Sequence, residues 1–299
     1  MLWVLTGPTA SGKSQLAMDI AAARGLEVLS ADSMAVYRRM NIGTAKPTTA
    51  ERALVPHHGL DLVEPHEQFD TSRWVAEAER VIQETSAAGR GLLVVGGTPL
   101  YLMALLFGFF DGPSADPDVR ARLGADEDSE PGALHRRLAE IDPTAAARIH
   151  PNDRKRLVRA LEVFELGGKP ISELQQQFAA EPRFPYRAVW LDLPRPRLKE
   201  RVRLRTRSML EAGLVEETRA IEAASGFGPT ASSAIGYAEV LQLLAGELAA
   251  DELATRIARS THRLVRRQET WLRRFPGLRR VSTSTPETTC VLDPLFDDA

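Results

Sequence analysis

The apolar positions of the first hundred residues fall in short runs separated by helical stretches. Leu2–Leu5 is one run, and it opens into a Gly-rich turn. Gln15–Ala23 then has helical spacing, closed by Gly25. Val28–Ala31 is a second run with Asp32 at its C-terminal end, and Leu60–Val63 is a weaker strand candidate. Trp74, Val75, Ala78, Val81 and Ile82 recur at helical spacing, with Asp70 or Thr71 available as the cap. Leu92–Val95 is a third buried-type strand, followed by Gly96, Gly97 and a helical stretch from about Pro99. Such alternation predicts an α/β chain with a parallel sheet and helices on both faces.

The pattern changes near Pro113. From there to about Pro185 the chain is polar, punctuated by prolines and helical in period. Asn152 can cap a helix carrying Leu157, Leu161 and Phe164, and Gly167 can end it. Strand character returns at Ala188–Leu193, and the remainder reads as helical to about Phe275. The expected organisation is a discontinuous core, residues 1–112 and 186–299, interrupted by a mostly helical insertion, 113–185. An irregular tail is expected over 281–299.

Composition narrows the class. The chain has 299 residues, a formal charge of −2 and 43% hydrophobic residues, enough for one large domain with an insert. No apolar run approaches the roughly 20 residues needed to cross a bilayer, and no basic segment followed by a long apolar one opens the chain. The single cysteine, Cys290, excludes an intrachain disulfide or a Cys-based zinc site and fits a reducing cytoplasm. A soluble cytoplasmic monomer without a membrane partner is the expectation. The near-neutral total hides a local bias: Asp251–Arg280 carries nine arginines and three acids, a stretch able to meet a polyanion.

Candidate chemistry begins with Gly7-Pro8-Thr9-Ala10-Ser11-Gly12-Lys13-Ser14, which fits G-x-x-x-x-G-K-[ST] between a strand and a helix. Its glycines let backbone N–H groups converge on phosphate oxygens, and the helix N-terminus adds partial positive charge. Lys13 supplies a full charge, and the Ser14 hydroxyl can join the shell of a Mg²⁺ ion. The fold expectation sharpens to a P-loop NTPase-like sheet plus a helical insertion. The motif identifies a diphosphate rather than a nucleotide. A nucleotide hydrolase would carry an acid at a strand end to hold Mg²⁺, but Leu92–Val95 ends in Gly-Gly-Thr.

Asp32 is the acid that ends an apolar run near this loop. It can act as a general base, orient an amine nucleophile, or simply cap a turn. Thr98 follows Gly96-Gly97 at the end of the third strand and can hydrogen-bond a substrate or belong to a plain turn. On a helix through 195–207, Leu198, Val202, Arg205 and Met209 share one face. A guanidinium in that stripe needs an anionic partner. A diphosphate or a core carboxylate would serve, and Arg201 lies one turn earlier. Arg154, Lys155, Arg156 and Arg159 either meet an RNA backbone or form a solvated face. His57 and His58 lack the spacing of a metal pair and read as structural.

Taken in order, GPTASGKS, DSMAVYRRMNIGTAKP, HHGLDL, GGTPLYL, IHPNDRKRLVRALEV, the Arg201/Arg205 helix, AIGYAEV and RRQETWLRR resemble the tRNA dimethylallyltransferase (tRNA isopentenyltransferase) family from the N-terminus to about Phe275. The resemblance implies transfer of a dimethylallyl group from dimethylallyl diphosphate to N6 of the adenine 3′-adjacent to the anticodon in the tRNA anticodon stem-loop. It implies that Gly7–Ser14 and Arg201 bind the diphosphate with Mg²⁺ at Ser14, and that Asp32, Thr98 and Arg205 are catalytic. It also implies tRNA contacts at Asp32, Ser33, Met34, Ala35 and Thr98, and at Lys155, Arg156, Leu157, Val158 and Arg159. Many members carry Gln at the position of Ala35, so no side-chain amide reads a base there. The insertion is short, an aromatic near His262–Leu264 is missing, and there is no eukaryotic-type C-terminal zinc finger. The competing readings are a small-molecule P-loop kinase, an isopentenyltransferase acting on free AMP or ADP, and an RNA-binding module with a structural P-loop.

Overall fold

The computed structural model describes residues 1–108, 112–175, 181–282 and 295–296. The chain divides into two compact units, Met1–Leu106 with Phe184–Ala299, and Phe107–Arg183.

The first unit is built on a six-stranded sheet. Its strands are β1 (Leu2–Thr6), β2 (Leu26–Ser30), β3 (His57–His58), β4 (Gly91–Gly96), β5 (Tyr186–Asp192) and β6 (Leu278–Ser282), in the order β3-β2-β4-β1-β5-β6. Every pairing is parallel. The central strands are buried on both faces, which is why they read as continuous apolar runs rather than as alternations. Helices α1 (Lys13–Arg24), α2 (Thr49–Leu54), α3 (Thr71–Ala87) and α4 (Pro99–Phe107) connect the first strands. The switch in chain direction between β1 and β4 leaves a crevice at the C-terminal ends of β1, β2 and β4, where ligands bind in open α/β sheets.

Local sequence sets the element ends. Gly25 closes α1 in the left-handed region at φ 64°. Asp70 caps α3 by accepting from Arg73 N at 2.9 Å. Trp74 of α3 is fully buried, donates to Ser30 O at 3.0 Å and stacks on Tyr101 with centroids 4.5 Å apart, fixing the end of β2.

Two expectations are corrected. The strand proposed at Leu60–Val63 is instead the pair His57–His58, and Val63 makes only a single bridge to Tyr37. The predicted irregular tail begins too early, since Leu278–Ser282 adds a sixth strand at the sheet edge. Its sequence, LRRVS, hides this because Arg280 is drawn out to Asp192 and over the Trp190 ring. Most of 283–299 lies outside the described residues, but Leu295 is buried in the core and Phe296 packs on Trp3.

The second unit is helical: α5 (Pro117–Ser129), α6 (Ala133–Ile141), α7 (Pro143–Arg148), α8 (Arg154–Gly167) and α9 (Ile171–Leu174). Leu123, Leu134, Leu138, Leu157 and Leu161 form its core. The cap of α8 is Asp153, not Asn152, and Gly168, not Gly167, ends it at φ 68°. Adjacent residues of the same cap-forming type explain both one-residue shifts. The first unit then continues with α10 (Arg195–Glu211), α11 (Leu214–Ala224), α12 (Tyr237–Leu244) and α13 (Leu253–Leu272). Among the described residues, no helix is long and apolar enough to cross a membrane.

Trp74→Phe removes the donor to Ser30 O and part of the ring stack. We expect a loss of about 1–3 kcal/mol, seen as a lower midpoint in urea. An unchanged midpoint would contradict the anchoring role given to Trp74.

Candidate active site

The loop between β1 and α1 holds Gly7–Ser14. A Cβ at Gly7 would lie 2.6 Å from Leu191 O, so the loop can run this close to β5 only with glycine there. Gly12 precedes the first turn of α1 at φ 96°, and Ala10 is held at φ 64°. Left-handed residues alternating with right-handed ones turn successive N–H groups inward, making a concavity for an anion. The first N–H groups of α1 have no intrahelical acceptors and add to it. Ser11 Oγ is buried without a hydrogen-bond partner among the described residues.

Lys13 leads α1 into a cavity of about 210 Å³, which Ser14, Asp32, Ala35, Thr44 and Arg205 also line. Its ammonium donates to Pro8 O at 3.3 Å. Burial pulls Lys13 down to about 8; the charge of Asp32 opposes that fall and Arg205 adds to it. Arg205, on α10, is likewise lowered by burial and supported by Asp32. Its guanidinium donates to Thr44 O across a long 3.5 Å. Lys46 and Glu51 also line the cavity but are bonded to Asp61 and Thr48, which leaves Lys13 and Arg205 as two cations sharing the carboxylate of Asp32.

That carboxylate sits just past the end of β2. Asp32 Oδ1 accepts from Met34 N at 2.9 Å, which is the turn-capping geometry, and the residue still lines the cavity. The two readings of Asp32 are therefore compatible, because capping uses one oxygen. Thr98, just past β4, accepts from Ser33 N at 3.0 Å, and its own N–H donates to Ala31 O at 3.2 Å. A Cβ on Gly96 would collide with the Ala31 backbone, so glycine lets the β2 and β4 ends approach.

The loop carrying Thr44 is anchored from behind. Glu217 of α11 accepts from Asn41 N at 3.1 Å, from Ile42 N at 3.0 Å and from Tyr237 Oη at 2.5 Å. Gly43 N donates to Tyr237 Oη at 3.1 Å, and a Cβ on Gly43 would come within 2.7 Å of Tyr237 Cζ. Burial, then the bond to Glu217, pushes the Tyr237 phenol well above its usual value. Lys46 is bound to Asp61 at 2.6 Å and to Tyr37 O, and burial lowers it.

The structure gathers Lys13, Ser14, Asp32, Ala35 and Arg205 at one cavity, with Thr98 bonded to Ser33 beside Asp32. Arg201 is exposed and does not line it. On α8, Lys155 and Arg156 are exposed, Val158 and Arg159 are half-buried, and Leu157 is fully buried. Arg159 pairs with the buried Glu162 at 2.6 Å, and Arg154 with Asp128. His58 pairs with Glu27 at 2.7 Å, while His57 donates toward Val55 O and lines the cavity. Sequence reasoning passed over Glu217, Tyr237 and the buried Gln268 of α13. Their signal is a polar group on the apolar stripe of a helix, as Gln268 is between Val265 and Leu272.

Comparison with known proteins is decisive for the family. The IPP transferase model matches residues 35–275, and the isopentenyl transferase model matches 1–55. The chain belongs to the IPP transferase family. Among relatives of this family, tRNA dimethylallyltransferase 1 of Citrifermentans bemidjiense is 46% identical over 90% of this chain and 87% of its own. The tRNA dimethylallyltransferase of Anaeromyxobacter dehalogenans is 47% identical over 93% of each. The crystal structure of the tRNA isopentenylpyrophosphate transferase of Bacillus halodurans superposes with a TM-score of 0.72 at 34% identity, covering 98% of this chain and 93% of that one. A eukaryotic dimethylallyltransferase acting on tRNA gives 0.81 at 27% identity, covering 98% and 75%. The two family models together span every cavity residue named above.

Glu217→Ala strips the acceptor from two backbone N–H groups and a phenol. We expect the amides of Asn41 and Ile42 to exchange hydrogen faster, with stability lower by about 1–3 kcal/mol. Unchanged exchange at both amides would show that the loop is held by other contacts.

Proposed function

We propose that this protein transfers a dimethylallyl group from dimethylallyl diphosphate to N6 of the adenine 3′-adjacent to the anticodon in tRNA. The observation that carries this reading is the cavity in which Lys13 and Arg205 face Asp32 beside an N–H-lined loop. Family membership supports the reaction class.

Adenine N6 is a poor nucleophile because its lone pair is delocalised into the ring. The barrier therefore falls chiefly by stabilising charges that separate, an allylic carbon gaining positive character and a departing diphosphate. The N–H groups at the α1 end of the Gly7–Ser14 loop, with the Lys13 and Arg205 side chains, hold the diphosphate as its charge grows. Asp32 accepts the N6 proton through the oxygen that does not cap Met34 N. Thr98 supports the target nucleotide beside Ser33. A base in an anticodon loop is already single-stranded, so turning it into a cavity costs little pairing energy. Ser33, Met34 and Ala35 are proposed to border the RNA next to Asp32. Lys155, Arg156 and Arg159 are proposed to meet backbone phosphates on the helical unit, while Val158 packs against its core. Leu157 serves that unit's core.

Mg²⁺ fits this reading. The Ser14 hydroxyl and the Asp32 carboxylate are oxygen donors lining one cavity, and Mg²⁺ commonly takes few protein oxygens, completing its shell with substrate phosphate oxygens and water. Ser14 would hold it, and the ion would supply further neutralisation of the diphosphate. Arg201 is proposed to reach the diphosphate only through a change of side-chain conformation, since it is exposed here.

The test is transfer of radiolabelled dimethylallyl from its diphosphate into unmodified tRNA with Mg²⁺. Wild type should label tRNA, and Asp32→Ala should lower kcat by about 10²–10⁴-fold. Label at equal rates in both would remove Asp32 from the chemistry. No label from folded wild type would overturn the function.

A pH dependence follows from Lys13. A lysine is charged below its pKa, so the charged form that binds diphosphate is lost as pH rises through about 8. The donor KM should be flat below that value and rise above it, by up to about tenfold per pH unit. Lys13→Arg, charged throughout, should keep a flat donor KM, and an identical rise in that variant would locate the titration elsewhere.

A further inference from the structure

The groups proposed to bind the donor and those proposed to receive the acceptor follow β1 and β4, which pair up to Thr6 and Gly96 and are tied there by Thr6 Oγ1 donating to Gly96 O at 2.8 Å. Beyond the strand ends, a side chain from α13 joins the two loops. Gln268 of α13 is buried, and its Oε1 accepts from Thr9 N at 3.0 Å. Its Nε2 donates to Gly97 O at 2.5 Å. The amide can sit only this way round, because Thr9 offers a donor and Gly97 an acceptor. Thr9 belongs to the phosphate loop. Gly97 precedes Thr98, which holds Ser33 N next to Asp32. A Cβ at Gly97 would lie 2.6 Å from Gln268 Nε2, 3.3 Å from Gly7 O and 3.4 Å from Lys13 Nζ. Glycine at 97 is what admits the amide, the loop and the lysine to one point.

Building on the function proposed above, we infer that Gln268 is a positioning residue that fixes the phosphate loop at a set distance from the Thr98–Asp32 arm. It reaches the reacting groups only through Thr9 and Gly97. It also commits the Thr9 N–H to protein, as Pro8 O does the Ser11 N–H, leaving the N–H groups at the start of α1 for diphosphate. A neutral amide suits this place. It satisfies two buried backbone groups without adding charge beside Lys13. Displacement of the two arms by about 1 Å is enough to cost roughly 10²-fold in rate.

The experiment compares wild type with Gln268→Met, which keeps length and loses both hydrogen bonds. It measures the thermal midpoint, kcat, and KM for dimethylallyl diphosphate and for tRNA, well below the midpoint. The expected result is a kcat lower by about tenfold or more, a raised donor KM and a tRNA KM close to wild type. Gln268→Met and Thr98→Val together should lose much less than the product of their separate losses, because both act on the same arm. Should Gln268→Met not fold, Gln268→Glu keeps the acceptor for Thr9 N–H, sets oxygen against Gly97 O, and carries the same expectation for kcat. A lowered midpoint with wild-type kcat and KM values would make Gln268 a purely structural tie and overturn the inference, as would fully multiplicative losses. Absence of transfer by wild type itself is the separate failure of the proposed function, and the inference falls with it.

Discussion

Two cations of the cavity, Lys13 and Arg205, share one carboxylate, Asp32, and this imbalance organises the site. Burial pulls both Lys13 and Arg205 below their ordinary values, and in each case Asp32 acts against that fall. Like charges at close range in a low-dielectric pocket are unfavourable until an anion arrives. The site is thus prepared for a group carrying more than one negative charge. Its donors need little rearrangement as that charge grows, which is the condition under which electrostatic preorganisation lowers a barrier.

The rest of the first unit holds those charges in place. β1 delivers the Gly7–Ser14 loop, β2 delivers Asp32 and β4 delivers Thr98, all at the C-terminal end of a parallel sheet. Helices packed later in the chain close the arrangement. Glu217 and Tyr237 pin the loop that carries Thr44, the residue Arg205 touches, and Gln268 ties Thr9 to Gly97. These supports are polar and hydrogen-bonded, with Tyr237 and Gln268 buried, so each specifies a particular geometry at the cost of tolerating few substitutions.

How much of this was legible depended on how local the physics is. The Gly7–Ser14 loop between a strand and a helix could be read directly, because the glycines, lysine and serine that make it lie within eight consecutive residues. Asp32 could be found because an acid at the end of an apolar run faces the crevice of a parallel sheet. Arg205 stood out as a charge in an apolar stripe, though Arg201, one turn away, points elsewhere and is exposed. Gln268 and Glu217 were missed because the backbone groups they hold lie more than 170 positions away in the chain. Strand β6 was missed because pairing with Asp192 lets an arginine occupy an edge strand that would otherwise read as apolar alternation.

The central claim is that the surplus positive charge of this cavity is built for a prenyl diphosphate. Equilibrium binding of dimethylallyl diphosphate and of ATP, each with Mg²⁺, to wild type and Arg205→Met tests it most directly. The account predicts tighter binding of the prenyl diphosphate than of ATP, and a loss of about tenfold or more when Arg205 is replaced, as expected for removing a charge-assisted partner of a buried anion. Tighter binding of ATP, with no effect of Arg205→Met on the prenyl diphosphate, would contradict it.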